Sequence, residues 1–165
     1  MFQVGDRVVY GVHGVCDIRD SETKTVDKKQ VIYLVLEPLG QPGSRYLVPT
    51  HNELAMSKLQ KMLSKEELEA LFRSQEVRED AWIADEGRRK QTYRELISSG
   101  DRLRLMSMIH TLYRHREQQA SLGRKVHLCD ETFLRDAEKL LTGEVAIVME
   151  KEPEQARQYI RTMLK

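Results

Sequence analysis

The chain has 165 residues and a mass of 19.3 kDa, which suits one medium-sized domain or two small ones. It contains 27 Lys and Arg against 26 Asp and Glu, so the net charge of +1 does not indicate a polyanionic partner. The longest apolar run, residues 31–36, is far shorter than the about 20 residues of a membrane span, and the first residues lack the pattern of a signal peptide. We therefore expect a cytoplasmic chain with no membrane partner, whose Cys16 and Cys129 stay reduced.

The chain up to about Asn52 is predicted to form strands, because short β-branched runs alternate with turn residues. Glycines at both ends of the segment 11–14 favour a tight turn, and Pro49 ends the last run because proline cannot donate to a β-ladder. The predicted strands cover residues 8–10, 15–25, 31–36 and 45–48. Strands this short and closely spaced predict a small antiparallel β-barrel of the SH3/Tudor type over residues 1–52. Such barrels often leave an edge strand free to pair with a partner.

Residues 53–165 have the apolar spacing of amphipathic helices and are predicted to form an all-α bundle. Ser64 and Glu67 have the spacing of a capping box, and Gly100 is placed for a left-handed helix end. The predicted helices begin near Ser64, Asp80, Asp101, Asp130 and Pro153. The fold class is therefore predicted to be α+β, with a barrel domain over 1–52 and a helical domain over 53–165.

The small net charge conceals an uneven distribution along the chain. Residues 1–52 are neutral, 53–85 have a net charge of −3, 86–128 of +6 and 129–165 of −2. The candidate DNA-binding cations of the basic stretch are Arg88, Arg89, Lys90, Arg94, Arg114, Arg124 and Lys125. Cations concentrated on two consecutive helices are typical of contact with a phosphate backbone, although a solvated helix surface produces the same pattern.

Trp82 is the only tryptophan of the chain and lies a few residues before the basic stretch, on the helix predicted over 80–98. Core burial is the usual fate of a single aromatic residue on a helix. The functional alternative is an aromatic side chain that stacks on DNA or wedges into a base step beside arginines. Asp80 and Asp85 argue against direct phosphate contact by this turn.

No assembled active site is evident in the sequence. A phosphate-binding loop is absent, and residues 11–14 are too few for a dinucleotide fingerprint. We interpret His13 and Cys16 as a turn histidine and a packed thiol, and His127 and Cys129, which lack a second pair of ligands, as a loop and helix start. We therefore expect no catalysis, no cofactor, no metal and no small-molecule substrate.

The order of these features is similar to a known family. Residues 2–15 closely resemble the opening of the CarD family of bacterial transcription regulators, an opening shared with the RNA-polymerase-interacting domain of the transcription-repair coupling factor. Further matching segments are 33–36, 47–49, 88–89, 99–101, 112–114 and 140–146. The C-terminal half is unlike the coupling factor, which would need helicase motifs.

The resemblance implies a Tudor-like domain that binds the β subunit of RNA polymerase through its sheet edge and its charge. It also implies a helical domain that contacts promoter double-stranded DNA beside the −10 element, where a family tryptophan wedges into the minor groove at the upstream edge of the bubble. A protein that binds open DNA better than closed DNA stabilises the open complex by that difference in affinity. The residues assigned to polymerase binding are Lys24, Arg45, Leu47, Val48 and Pro49.

Two positions depart from the family pattern. The family tryptophan stands two residues before the paired arginines, where this chain has Glu86, and Trp82 lies one helical turn earlier, about 5.4 Å along the axis. The basic residue expected before the Val-Pro step is Leu47. Lys24 matches the other basic position, and Arg45 lies on the same strand face as Leu47 and substitutes for the missing cation.

Two other classes of function are compatible with the same sequence. One is a free-standing nucleic-acid-binding protein that does not act through polymerase. The other is a protein-interaction adaptor whose basic face is only solvated.

Overall fold

A computed structural model describes residues 1–79 and 81–165. They form two compact units, Met1–Met62 and Leu63–Lys165. The predicted α+β class is confirmed, since an antiparallel sheet precedes a helical region. The boundary between the units lies ten residues beyond the predicted one at 52/53, because a short helix and a fifth strand after Asn52 still belong to the sheet unit.

The first unit is a five-stranded antiparallel sheet. Its elements are β1 (Arg7–Tyr10), β2 (Val15–Val26), β3 (Lys29–Pro38), β4 (Tyr46–Pro49), the helix α1 (Glu53–Ser57) and β5 (Leu59–Lys61). The strand order is β4-β3-β2-β1-β5, so β4 and β5 form its edges. The four predicted strands are confirmed. The fifth was missed because three residues are too few to show a period of two.

Alternation along the strands places one side of the sheet over an apolar core. Val8, Ile18, Leu36 and Val48 all belong to this core and are almost fully buried. The tight turn between β1 and β2 requires a left-handed residue, and Gly14 supplies it at φ +70°. Tyr10 N–H closes this turn by donating to Gly14 O at 2.8 Å.

The second unit contains five helices among its described residues. They are α2 (Lys65–Arg73), α3 (Glu86–Ser99), α4 (Arg102–Ser121), α5 (Leu128–Val148) and α6 (Pro153–Leu164). The core is built around α4, whose Met106, Ile109 and Tyr113 are buried together with Leu141 of α5 and Ile160 of α6. Within the described part of the chain, no helix has the length and apolar character needed to cross a membrane.

Local sequence signals set most helix ends. The Ser64 hydroxyl accepts from Glu67 N–H at 3.1 Å, and the Glu67 carboxylate accepts from Ser64 N–H. These two bonds confirm the predicted capping box. Gly100 ends α3 in the left-handed region at φ +71°, and Asp101 caps α4 by accepting from Arg104 N–H. Pro153 occupies the first turn of α6, as predicted.

The helix predicted over residues 80–98 was given the wrong start. The helix begins at Glu86 because Asp85 caps it, its carboxylate accepting from Arg88 N–H at 3.0 Å. Residue 80 itself lies outside the described residues. Trp82 therefore belongs to the segment that precedes α3 and not to a helix face.

Candidate functional site

The edge strand β4 contains three of the residues assigned to polymerase binding. Its only strand partner within the described ranges is β3, with Leu47 opposite Val35 and Val48 opposite Leu34. Leu47 is 40% exposed, whereas Val48 is fully buried, because successive side chains point to opposite faces. The Val48 side chain is therefore part of the core, and Val48 offers a partner its backbone at the edge.

Two basic side chains meet near β4: Arg45 directly precedes it, and Lys24 lies on β2, two strands in from the edge. Arg45 Nη2 lies 3.1 Å from Glu22 Oε1 and Lys24 Nζ lies 3.9 Å from Glu22 Oε2, so one carboxylate bridges both cations. Lys24 Nζ also lies 5.9 Å from the centroid of the Tyr33 ring. All three charged groups are substantially exposed, so these pairs contribute little stability, and the group keeps one net positive charge at the surface.

His13 and Cys16 do not form a reactive pair. Cys16 is fully buried and its thiol donates to Gly14 O at 3.6 Å. Burial raises the pKa of this thiol to about 11, with the neighbouring Asp17 carboxylate adding to the rise. The His13 ring instead stacks on Tyr46, with centroids 3.8 Å apart. The interpretation of Cys16 as a packed thiol is confirmed.

Most of the candidate DNA-binding cations lie at the surface of the second unit. Arg88 and Arg94 on α3, Arg114 on α4, and Arg124 and Lys125 in the following loop are all exposed, and none forms an ion pair with another described residue. We call these five residues the exposed cations. Lys90 differs from them, because its Nζ lies 3.0 Å from Glu86 Oε1 one turn away. The exposed cations are available for an external anion.

Arg89 is buried, contrary to its predicted role as a DNA contact. Only 4% of its surface is exposed, and its Nε and Nη2 donate to the two carboxylate oxygens of Asp130 at 2.9 and 3.1 Å. Its Nη1 donates to Ile83 O at 3.0 Å. Asp130 is equally buried, so the pair is a desolvated bidentate bridge between α3 and α5. The guanidinium is therefore occupied by protein acceptors in this structure.

Trp82 is partly buried and its ring is held by two side chains. The imidazole of His115 on α4 stacks on it with centroids 3.7 Å apart and an interplanar angle of 14°. The guanidinium carbon of Arg89 lies 4.5 Å from the indole centroid, within cation–π range. The side chain also packs against the helical core. The first alternative from the sequence, core packing, therefore holds in part, and the second, a wedge into DNA, stays a prediction.

Burial lowers the pKa of His115 below its ordinary value, an effect that the Asp130 carboxylate opposes and the Arg89 guanidinium reinforces. The imidazole of the folded protein thus binds a proton less readily than that of the unfolded chain, whose ordinary pKa is about 6.5. Protonation of His115 therefore favours the unfolded chain. The stability that the neutral imidazole contributes is complete above that pH and is lost as the pH falls below it.

The wild-type helical unit is accordingly expected to lose more stability between about pH 7.5 and about pH 5.5 than a His115→Phe variant, which keeps an aromatic ring but cannot titrate. Denaturant titration followed by the fluorescence of Trp82, the only tryptophan, measures this difference. Equal losses in the two proteins would show that His115 does not titrate in this range.

Three polar side chains, Glu86, His127 and Cys129, meet where α3 and α5 begin. Glu86 Oε1 lies 3.9 Å from His127 Nδ1 and 4.0 Å from Cys129 Sγ. The Lys90 ammonium lowers the pKa of the Glu86 carboxyl. His127 and Cys129 form a loop end and a helix start, as interpreted from the sequence. The sequence could not indicate the approach of Glu86.

The two units match two family models. Residues 2–60 match the CarD-like/TRCF RID domain, and residues 67–161 match the CarD C-terminal domain. The chain belongs to the CarD family. The gap between the CarD matches brackets the structural boundary between Met62 and Leu63.

Family membership sets the general function of this CarD protein. The N-terminal match is to a domain that interacts with RNA polymerase, and members of the family are transcription factors without enzymatic activity. This CarD protein is therefore a transcription-related protein that interacts with RNA polymerase.

Proposed function

We propose that this protein binds the β subunit of RNA polymerase through the edge of β4 and contacts promoter DNA beside the −10 element through its helical unit. Binding at the upstream edge of the bubble stabilises the open complex. The observation that supports this function best is the set of exposed cations on α3, on α4 and in the loop after α4, close in sequence to the stacked Trp82 and His115.

The first step of the proposal is pairing at the sheet edge. An edge strand offers unpaired backbone groups to a strand of a partner, and Leu47 adds an exposed apolar side chain in the middle of β4. Arg45 and Lys24 share the single Glu22 carboxylate, so an acidic group on the partner can compete for either cation. Pro49 ends the strand and limits the length of the pairing.

The second step is phosphate contact by the exposed cations. Each cation that neutralises a phosphate releases counterions, which makes binding strongly dependent on salt. Arg89 acts here as a positioning residue, because its bonds to Asp130 and Ile83 hold the start of α3 and the backbone beside Trp82. The partly exposed edge of Trp82 is then presented to DNA from a fixed ring orientation.

The third step is selection of the open state of the promoter. A wedge-shaped aromatic side chain favours unstacked base steps over intact ones, because the cost of unstacking has already been met in the bubble. A lifetime increase follows from this differential affinity and requires no sequence-specific contact.

The direct test is the half-life of heparin-challenged open complexes with and without the protein on several promoters. We expect a longer half-life and only weak binding to duplex DNA alone at physiological salt. An unchanged half-life on every promoter would contradict open-complex stabilisation. Tight binding to duplex DNA without polymerase would instead favour a free-standing nucleic-acid-binding protein.

Substitution at the edge strand tests the polymerase contact separately. Leu47→Asp is expected to weaken binding to the isolated β lobe by about tenfold or more, since it places a charge at the centre of the contact. Lys29→Glu is the control, because Lys29 is exposed on the same sheet but lies away from β4. Tyr33 is the first β3 residue paired with β4, and Lys29 lies four residues before it, about 13 Å along the strand. Equal affinity of wild type and Leu47→Asp would remove β4 from the interface.

A further inference from the structure

We propose that Glu86, His127 and Cys129 form a binding site for a divalent transition-metal ion of the zinc type. The three side chains come from the first turn of α3 and the start of α5. Their ligand atoms, one carboxylate oxygen, one imidazole nitrogen and one thiol sulfur, all lie within 4.8 Å of one another. None of these three side chains takes part in the polymerase or DNA contacts proposed above.

The separations are close to those of a tetrahedral centre. Zinc–ligand bonds of about 2.0–2.3 Å place the ligand atoms of one tetrahedron roughly 3.3–3.7 Å apart. The Glu86 oxygen is already 3.9 Å from His127 Nδ1 and 4.0 Å from Cys129 Sγ. A contraction on the order of 1 Å closes the site, and side-chain rotation can provide it because His127 is 67% and Glu86 46% exposed.

The donor set determines which ion fits. A thiolate and an imidazole are poor ligands for Mg²⁺ and Ca²⁺, which prefer oxygen, and are good ligands for Zn²⁺ and related ions. Three protein ligands leave a fourth position for water, because the surface location of His127 keeps the site open to solvent. Coordination requires the thiolate, so binding releases the Cys129 proton to solvent.

Two neighbours affect the site in opposite directions. Lys90 Nζ lies 3.0 Å from Glu86 Oε1, so a metal ion must displace this ammonium to use that oxygen. Arg89, three residues after Glu86 on α3, pairs with Asp130, one residue after Cys129 on α5. This pair keeps Glu86 and Cys129 near each other before any ion binds. The metal ion would add a second cross-link between the same two helices.

The test measures binding of Zn²⁺, and of Co²⁺ as a spectroscopic probe, to the reduced full-length protein. We expect one ion per chain, a thiolate-to-cobalt charge-transfer band, and protection of Cys129 from alkylation when Zn²⁺ is present. Cys129→Ser and His127→Ala are each expected to raise the dissociation constant by at least about 10–100-fold, the loss that removal of an outer-shell partner alone produces. Glu86→Gln, which keeps a weaker oxygen ligand, is expected to raise it by about tenfold.

Matched controls exist in the first unit. Cys16→Ala removes the other cysteine, which is buried, and His51→Ala removes an exposed histidine. Both are expected to bind Zn²⁺ like the wild type. Equal affinity in the Cys129→Ser variant, or alkylation of Cys129 at the same rate with and without Zn²⁺, would overturn the proposal. Because the alkylation test needs no substitution, a variant that fails to fold does not affect it.

Discussion

Replacing Arg89 by alanine is expected to lower the free energy of unfolding of the helical unit by about 3–5 kcal/mol, because it leaves a buried carboxylate without its counter-charge. The Asp130 side chain is 1% exposed and receives two bonds from Arg89. The change also removes the donor to Ile83 O and the cation beside the Trp82 ring. A loss of this size lies in the upper part of the range for single substitutions.

The neighbouring Arg88 offers a matched control for this prediction. Arg88→Ala removes the same charge one position earlier, but from an exposed side chain with no ion pair to a described residue. It is expected to change stability by less than about 0.5 kcal/mol. Urea titrations followed by helical circular dichroism compare the two variants, and a loss below about 1 kcal/mol for Arg89→Ala would contradict the buried-pair explanation.

A double substitution separates the charge from the packing. Arg89→Met combined with Asp130→Leu removes both buried charges and keeps much of the volume. It is expected to be considerably more stable than Arg89→Ala alone, because the desolvation cost of the two ions disappears with them. If the double variant is no more stable than the single one, the packing of the arginine stem matters more than the ion pair.

Replacing Arg88, Arg94 and Arg114 together by alanine is expected to abolish most of the lengthening of open-complex lifetime while leaving polymerase binding unchanged. Each of the three is exposed and unpaired among the described residues. Under the proposed function each meets a phosphate, so the salt slope of DNA binding falls by roughly 0.9 for every contact removed. For three contacts, the loss of DNA affinity at physiological salt is at least on the order of tenfold.

A charge-matched control removes three other exposed cations of the same unit. Arg135 and Lys139 on α5 and Lys165 at the end of α6 lie outside the basic stretch. Their joint substitution by alanine changes the net charge by the same amount but is expected to preserve the lifetime effect. Equal losses in the two triple variants would show that only the overall charge matters, and no loss in either would favour the adaptor function.

Local chemistry made much of the fold predictable. Ser64 with Glu67, Asp101 and Pro153 signal helix starts through short-range bonds or a pre-set φ, and Gly100 signals a helix end. The strands before Asn52 follow from β-branched runs between turn residues. The start of α3 was missed because the apolar spacing of residues 82 and 83 resembles a helix face, whereas the actual cap, Asp85, comes later.

The site was less predictable because its residues meet across long sequence separations. A cluster of cations is visible in the sequence, but the difference between Arg88 and Arg89 depends on Asp130, which is 41 residues from Arg89. The stacking of His115 on Trp82 and the approach of Glu86 to Cys129 are contacts of the same kind. No periodicity or motif encodes such pairs.

The sequence by itself determined the α+β class, most element boundaries, the family and the segment that holds the positive charge, because these depend on neighbouring residues or on a signature along the chain. Only the tertiary structure decided which cations face solvent, which way the Trp82 ring is held, and that Val48 is buried while Leu47 is exposed. The physical reason is that burial and counter-charge come from other elements. The exposure and ionic partners of a side chain are therefore properties of the packed fold.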